Sequence, residues 1–458
     1  MATRTAAQTS GFADAFSKAK DLHKRVLFVL GAFLVFRMGT HIPVPGVDPI
    51  ALAQHSASLQ QGILGMINMF TGGAFARASI LALNIIPYIL ASIFIQILGK
   101  TIPSLQELEK EGEAGRRKIN QYTRYLTVFI AFMNGLMLAG ALQGATVNLN
   151  GVPASVVVDP GLMFRLHTAL TLAAGTMFVV WLAEQINQRG IGNGASLLIF
   201  AGIVAELPRA LVKTFELAKI GTLSDFALLG IAAMVVGVIA FVVFMESAQR
   251  RILVQYPKRQ VGPRPTGGDS SHMPLKVNLA GVMGPILASQ LLLAPSFMLQ
   301  QLFRDSYADS TVAQWIGLYL SPGSLVFNVL FVSGIFVFGF WWVALMMDPE
   351  KMADRIKREG GFVPGIRPGK QTAQYFDNVM TRLTVVGSAY VAFICVLPQV
   401  IIANYNVPFY FGGTSLLIVV TVTLDTMSRI QAALVAHRYE GLMRKARLRE
   451  GKGKRARA

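Results

Sequence analysis

Few residues in this chain could do chemistry of their own. One of its 458 residues is cysteine, Cys395, and six are histidine. A single thiol excludes a disulfide framework and any Cys-based zinc or iron–sulfur site. Cys395 lies inside an apolar run, 391–397, which suits a packing role. The histidines are scattered and never paired as His-x-x-x-His, so neither a metal centre nor a cofactor is expected. The metalloprotease, nucleophile-elbow and Walker-type patterns are absent, and no pair of intramembrane aspartates presents itself. Asp425 stands alone in the last apolar stretch; a lone carboxylate there is a functional hint without a nameable partner. Gln96, Asn134, Ser289, Gln290 and Asn328 bring uncharged polarity into other apolar stretches, where interhelical hydrogen bonds of about 0.6–2 kcal/mol each are the plain role. An intramembrane enzyme would need catalytic pairs, and an ion-coupled solute transporter several midplane carboxylates; neither set is present.

Cations are the other chemical resource, and their chemistry is anion binding. Arg250, Arg251, Lys258, Arg259 and Arg264 crowd the segment 247–278, and Arg367 sits in Gly-Ile-Arg-Pro-Gly within 348–380. Pro368 stiffens that turn and the glycines permit a tight backbone, so one cation is presented at a loop tip. Two extended basic segments and a C-terminal stretch, 429–458, with ten basic residues suit a large anionic partner such as RNA, bound through its phosphates. No aromatic stacking pattern accompanies them, so base readout is not suggested. The plain alternative is topology alone, since cytoplasmic cations need no partner.

These residues must be positioned by elements, and hydropathy defines the elements. The chain carries 42 Lys and Arg against 24 Asp and Glu, a net charge of +18, yet only 14% of its residues are charged and 53% are apolar. Charge and apolar surface are therefore segregated, which excludes a disordered basic tail and a compact nucleic-acid-binding domain. Apolar stretches at 78–98, 122–142, 164–183, 226–246, 279–303, 324–347, 383–403 and 411–436 are each long enough to cross a bilayer as a helix. Residues 24–42 read as a retained first span, because no small-residue cleavage site follows the apolar run. Residues 195–213 complete ten. With ten spans and both termini cytoplasmic, 35 of the 42 basic residues fall on the cytoplasmic side; the other seven are Arg37, Arg77, Arg165, Arg209, Lys213, Lys219 and Arg304.

Residues 62–98 are too few for two spans and too many for one straight helix. A half-length piece at 62–76, ended by Gly72-Gly73 and returning to a full helix near Arg77, resolves this. It implies a cavity open to the external face. Ile85 and Ile89, four apart, share a helix face. With Ile199, Ile286 and Ile418 on three other spans, they could form a dewetting constriction, although an isoleucine in a membrane helix is ordinarily packed or lipid-facing.

Several motifs together resemble the bacterial SecY family over about residues 15–445. They are Phe36-Arg37 with Ile42-Pro-Val-Pro-Gly, Asn68-Met-Phe-Thr-Gly-Gly-Ala, Lys110-Glu-Gly-Glu-Ala-Gly-Arg-Arg-Lys, Gln188-Arg-Gly-Ile-Gly-Asn-Gly, Phe362-Val-Pro-Gly-Ile-Arg-Pro-Gly and Val407-Pro-Phe-Tyr-Phe-Gly-Gly-Thr. The resemblance implies an all-α membrane protein of ten transmembrane helices in two pseudo-symmetric five-helix halves, a clamshell. The N-terminal half would be 24–213 and the C-terminal half 214–436, flanked by cytoplasmic segments 1–23 and 437–458.

It further implies a protein-conducting channel that passes unfolded secretory chains and releases membrane helices sideways into lipid. Such a channel is not an enzyme; it is driven by SecA or a translating ribosome. The plug would include Met66, Asn68, Phe70, Gly72 and Gly73. The pore ring falls on Ile85, Ile89, Ala195, Ile199, Ile286 and Ile418, with Ala195 smaller than its counterpart in many relatives. Gln96, Asn134, Ser289 and Gln290 become candidates for the lateral gate. Arg250, Arg251, Lys258, Arg259, Arg264 and Arg367 become the docking residues for SecA or the ribosome, with Pro263-Arg264 standing where some relatives carry two arginines. Implied partners are SecE and SecG in a heterotrimer, SecA, the ribosome, precursor chains, SecDF, YidC and membrane lipids, all at the bacterial cytoplasmic membrane. The main rival is a multi-span solute transporter, which predicts a saturable solute site.

Overall fold

The computed structural model describes residues 20–58, 68, 71–149, 152–220, 225–256, 259–261, 264–266, 270–302, 319, 324–405 and 413–455. Each of the ten expected spans falls on a helix. They are α1 (Lys20–Gly39), α3 (Ile86–Thr101), α5 (Glu113–Gln143), α6 (Leu162–Arg189), α7 (Gly194–Lys219), α8 (Asp225–Ser247), α9 (Met283–Leu302), α10 (Leu325–Met346), α12 (Lys370–Tyr405) and α13 (Gly413–Arg455). Among the described residues, six helices are long and apolar enough to cross a membrane by themselves. A seventh candidate is α3 joined to α4 (Pro103–Lys110), bent by 99°. Pro103 has no amide hydrogen to continue α3, and the more polar α4 turns away. Helix α2 spans Pro49–Ser58.

The chain divides into two compact units. One holds the described residues up to Ser58, those from Thr71 to Ala205, and those from Val422 onward. Within it α5 and α6 pack closely: a Cβ on Gly135 would stand 2.8 Å from the Ala169 Cα. The Arg124 guanidinium clamps Glu184 across the same two helices, with Nη2–Oε1 and Nη2–Oε2 distances of 2.7 and 2.6 Å. Outside the helices, β1 (Thr146–Leu149) pairs antiparallel with β2 (Val152–Ser155), and the Asp48 amide reaches the Val156 carbonyl at 2.9 Å.

The expected helix start near Arg77 is not observed. Residues 71–85 run as a buried series of turns, and α3 begins only at Ile86. Positive φ at Gly72 (65°), Gly73 (77°), Ala78 (41°) and Asn84 (51°) interrupts any helix there. Their backbone groups bond elsewhere instead: the Val44 amide to the Ala78 carbonyl, the Ile80 amide to Ile42, and the Ile85 amide to Asn84 Oδ1. Gly175 on α6 admits this segment, since a Cβ there would overlap the Ile80 carbonyl oxygen.

The other unit holds Asn68 and the described residues from Glu206 to Thr421. After α8 the chain forms a hairpin of β3 (Gln249–Gln255) and β6 (Ser270–Lys276), with a smaller one, β4 (Arg259–Val261) against β5 (Arg264–Thr266), between them. Helix α11 (Pro349–Arg358) precedes the turn that carries Arg367. Both segments were expected as loops. Burial alternates at Ile252 and Val254 along β3, on the face that also carries Met273 and Leu275 of β6, with Ile252 opposite Met273. Asp348, with Pro349 after it, is the signal for the helix.

Candidate functional site

The two basic segments form one folded body. Ile252, Val254 and Leu275 from the hairpin share a buried core with Ala353 and Ile356 of α11, Val363 of the following turn, and Ala373 and Phe376 of α12. The Gln255 amide bonds the Phe362 carbonyl at 2.9 Å, and the Phe362 amide returns the bond to Gln255 at 2.9 Å. One antiparallel bridge thus joins both segments. Gly361 is required at the join, because a Cβ would stand 2.9 Å from the Tyr256 ring and 3.0 Å from Val254.

Arg367 is presented by this body. Gly360, Gly365 and Gly369 all take positive φ, the Ile366 amide closes a turn onto Val363, and Thr372 Oγ1 donates to the Arg367 carbonyl at 2.9 Å. The backbone is therefore held while the guanidinium stays exposed. Arg250 and Arg251 are also exposed, at the start of β3. Arg259 and Arg264 lie on the β4–β5 hairpin, and Lys258 falls outside the described residues.

Four isoleucine-ring positions lie in the first unit. Ile85 is fully buried immediately before α3, and the Ile89 amide bonds its carbonyl at 3.1 Å, so the two share a face as expected. Ala195 and Ile199 occupy the first turns of α7. Asn193 Oδ1 accepts from the Ala195 amide at 3.1 Å, while Asn187 Oδ1 accepts from the Gly194 amide at 2.7 Å. Gly194 lets α7 start against α6, since a Cβ would overlap the Ala183 carbonyl oxygen. The Gln-Arg-Gly-Ile-Gly-Asn-Gly motif is thus the cap that sets Ala195 and Ile199. In the second unit Ile286 is half-buried on α9 and Ile418 is buried on α13.

Of the expected plug residues, Met66 and Phe70 fall outside the described residues, and Asn68 is helical and half-buried. Gly72 and Gly73 form a tight turn beside α7, where a Cβ on Gly72 would stand 2.7 Å from the Gly202 Cα. Two arginines meet there: Arg37 Nη1 and Arg77 Nη2 donate to the Gly72 carbonyl at 2.9 and 2.8 Å. Sequence reasoning assigned neither arginine a role.

The polar span residues differ from the expectation of interhelical bonds. Gln96 Nε2 donates to Ser92 Oγ within α3 at 3.2 Å, and Ser289 Oγ donates to the Ile286 carbonyl within α9 at 2.9 Å. Each donates one turn back within its own helix, while Gln96 Oε1 is buried without a hydrogen-bond partner. Asn134 and Gln290 are half-buried on α5 and α9. Asp425 also has a partner, Arg429 Nε at 2.9 Å one turn along α13, and it is half-buried. The functional hint at Asp425 reduces to an i,i+4 ion pair. Cys395 is buried and free.

Comparison with known proteins gives a consistent result. The family model described as SecY matches residues 79–427. The protein translocase subunit SecY of Vibrio cholerae serotype O1 is 48% identical over 96% of this chain and 97% of its own. That of Escherichia coli strain K12 is 48% identical over 94% and 95%, and that of Rickettsia bellii 45% identical over 95% and 99%. A solved structure of a protein conducting channel, 20% identical, covers 90% of this chain and 92% of its own with a TM-score of 0.64. Sec61 in the canine ribosome-channel complex, 18% identical, covers the same shares with a TM-score of 0.59. At these identities the structures establish the fold.

Proposed function

This chain belongs to the SecY family, and from that premise we propose that it is the channel-forming subunit through which unfolded secretory polypeptides cross a membrane and membrane helices pass sideways into lipid. It acts as a channel subunit and not as an enzyme. Transport is driven by SecA or by a translating ribosome, docked on the body built from 247–278 and 348–380. The membrane is the bacterial cytoplasmic membrane, with both termini inside, as the 35-to-7 division of basic residues favours. SecE and SecG complete the complex; SecDF and YidC act with it on some precursors.

The observation that carries the docking role is the double hydrogen bond between Gln255 and Phe362. It makes one rigid support of two segments whose exposed cations, Arg250, Arg251 and Arg367, need a fixed backbone to meet an anionic surface. Arg259, Arg264 and Lys258 are assigned to the same docking role. In the channel, Ile85, Ile89, Ala195, Ile199, Ile286 and Ile418 form an apolar ring that seals when empty and grips a chain without sequence preference. Met66, Asn68, Phe70, Gly72 and Gly73 belong to the plug. Gln96, Asn134, Ser289 and Gln290 belong to the lateral gate. A signal sequence and a docked partner open the channel by binding its open state better.

Arg367→Glu is expected to abolish SecA-driven export of a precursor into vesicles while the protein remains inserted and folded; normal export would overturn the docking assignment. A cysteine at Ile89 is expected to form a disulfide with a stalled precursor carrying a thiol. A solute transporter forms no such adduct.

A further inference from the structure

Among the described residues, Glu246 is the only Asp, Glu, Lys or Arg that is buried, at 7% exposure, on the last turn of α8. Nothing above uses it. Its Oε1 accepts from Asn278 Nδ2 at 2.7 Å, and Asn278 is itself 5% exposed. The same amide reaches the Gly281 carbonyl at 3.3 Å. The buried Tyr390 side chain of α12 lies near this carboxylate, and Lys276 is the nearby cation.

The pair occupies a particular place in the chain. The β3–β6 ladder runs inward through Gln249 opposite Lys276, and the Val277 amide adds a bond to the Ala248 carbonyl at 3.1 Å. Glu246 and Asn278 form the next rung, made of side chains where the two strands have become α8 and the approach to α9. Beyond it there is no slack. Gly281 turns at φ 59°, and the Met283 and Ile286 amides bond back to Ala280 and Val282. Gly387 of α12 leaves no room on the other side, because a Cβ there would stand 2.8 Å from the Val277 carbonyl oxygen.

We propose that Glu246 and Asn278 are positioning residues that couple the cytoplasmic body to α9, so that displacement of the hairpin reaches Ile286, eight residues past Asn278. The proposal rests on the channel reading and deepens it. A buried carboxylate with a hydrogen-bonding partner is costly to break from one side, so the rung transmits displacement instead of yielding.

The test uses the complete complex in lipid vesicles and reads two quantities separately: ribosome docking, by co-flotation, and nascent-chain insertion per docked ribosome. Asn278→Asp sets two carboxylates against each other. It is expected to lower insertion per docked ribosome at least tenfold, with docking affinity within twofold of the parent. Adding Glu246→Gln gives the introduced carboxylate an amide donor, and it is expected to restore most of the lost ratio. Because the ratio counts only docked complexes, protein that fails to insert drops out. The proposal is overturned if the ratio is unchanged in the single variant, if the double variant stays as defective, or if docking falls in parallel with insertion. Failure of the parent complex to insert any chain after docking would instead overturn the channel reading itself.

Discussion

Ile89 and Ile199 differ from the isoleucines around them only in where the backbone puts them. Ile89 follows the buried Ile85 by one turn, and Ile199 is set by the Asn193 cap at the head of α7. Side-chain type carried little information here, since isoleucine is common in any membrane helix; spacing and the motif match singled them out. Replacing Ile89 and Ile199 together with Ser is expected to make resting vesicles leak small ions, because polar side chains let a narrow constriction stay wet. Conductance equal to the parent would remove these two from the ring. The exposed turn that presents Arg367 was legible because proline and glycine surround it. Glu246 was not, because one carboxylate ending an apolar stretch reads as the boundary of a span, and only the fold brings Asn278 to it.

At the scale of elements, long apolar helices were legible and short or irregular elements were not. Hydropathy averages over about 20 residues, so it located ten helices but could not see that α3 starts at Ile86. That start is decided by single residues in the left-handed region and by hydrogen bonds to the chain around Ile42, which no window registers. The body formed by the two basic segments was read as loops because its core is shared: neither the hairpin nor α11 buries its apolar face alone.

Helix α11 offers a test at this scale. Asp348 caps it, accepting from the Glu350 and Lys351 amides at 3.1 and 3.3 Å. Slight burial pushes its carboxyl upward, but the Lys351 and Glu350 amides and the Lys351 ammonium outweigh this and hold it below the ordinary value. A depressed carboxyl stabilises the fold above its ordinary pKa and loses that contribution as pH falls through the lowered value. Asp348→Ala is expected to cost about 1 kcal/mol in the stability of this body. Asp348→Asn should keep most of the cap but remove its acid sensitivity. Protease protection of 348–369 as a function of pH reads both effects.

For the whole molecule, a net charge of +18 is carried by a chain in which only 14% of residues are charged. The measurable consequence is salt dependence. If Arg250, Arg251 and Arg367 each neutralise a ribosomal phosphate, the slope of log affinity against log salt is expected to flatten by about 0.7–0.9 for each one changed to alanine. Ribosome co-flotation between low and physiological salt measures this. A slope indifferent to all three would mean that they serve topology alone.

One further property concerns Cys395, 1% exposed inside unit-two packing. A thiol closed to water does not meet aqueous maleimides or spin-label reagents. Every cysteine placed at an exposed position therefore carries its probe against a silent background, with no native residue to remove first. Distances within the body formed by the two basic segments can be measured spectroscopically on a chain that differs from the natural one only at the labelled positions.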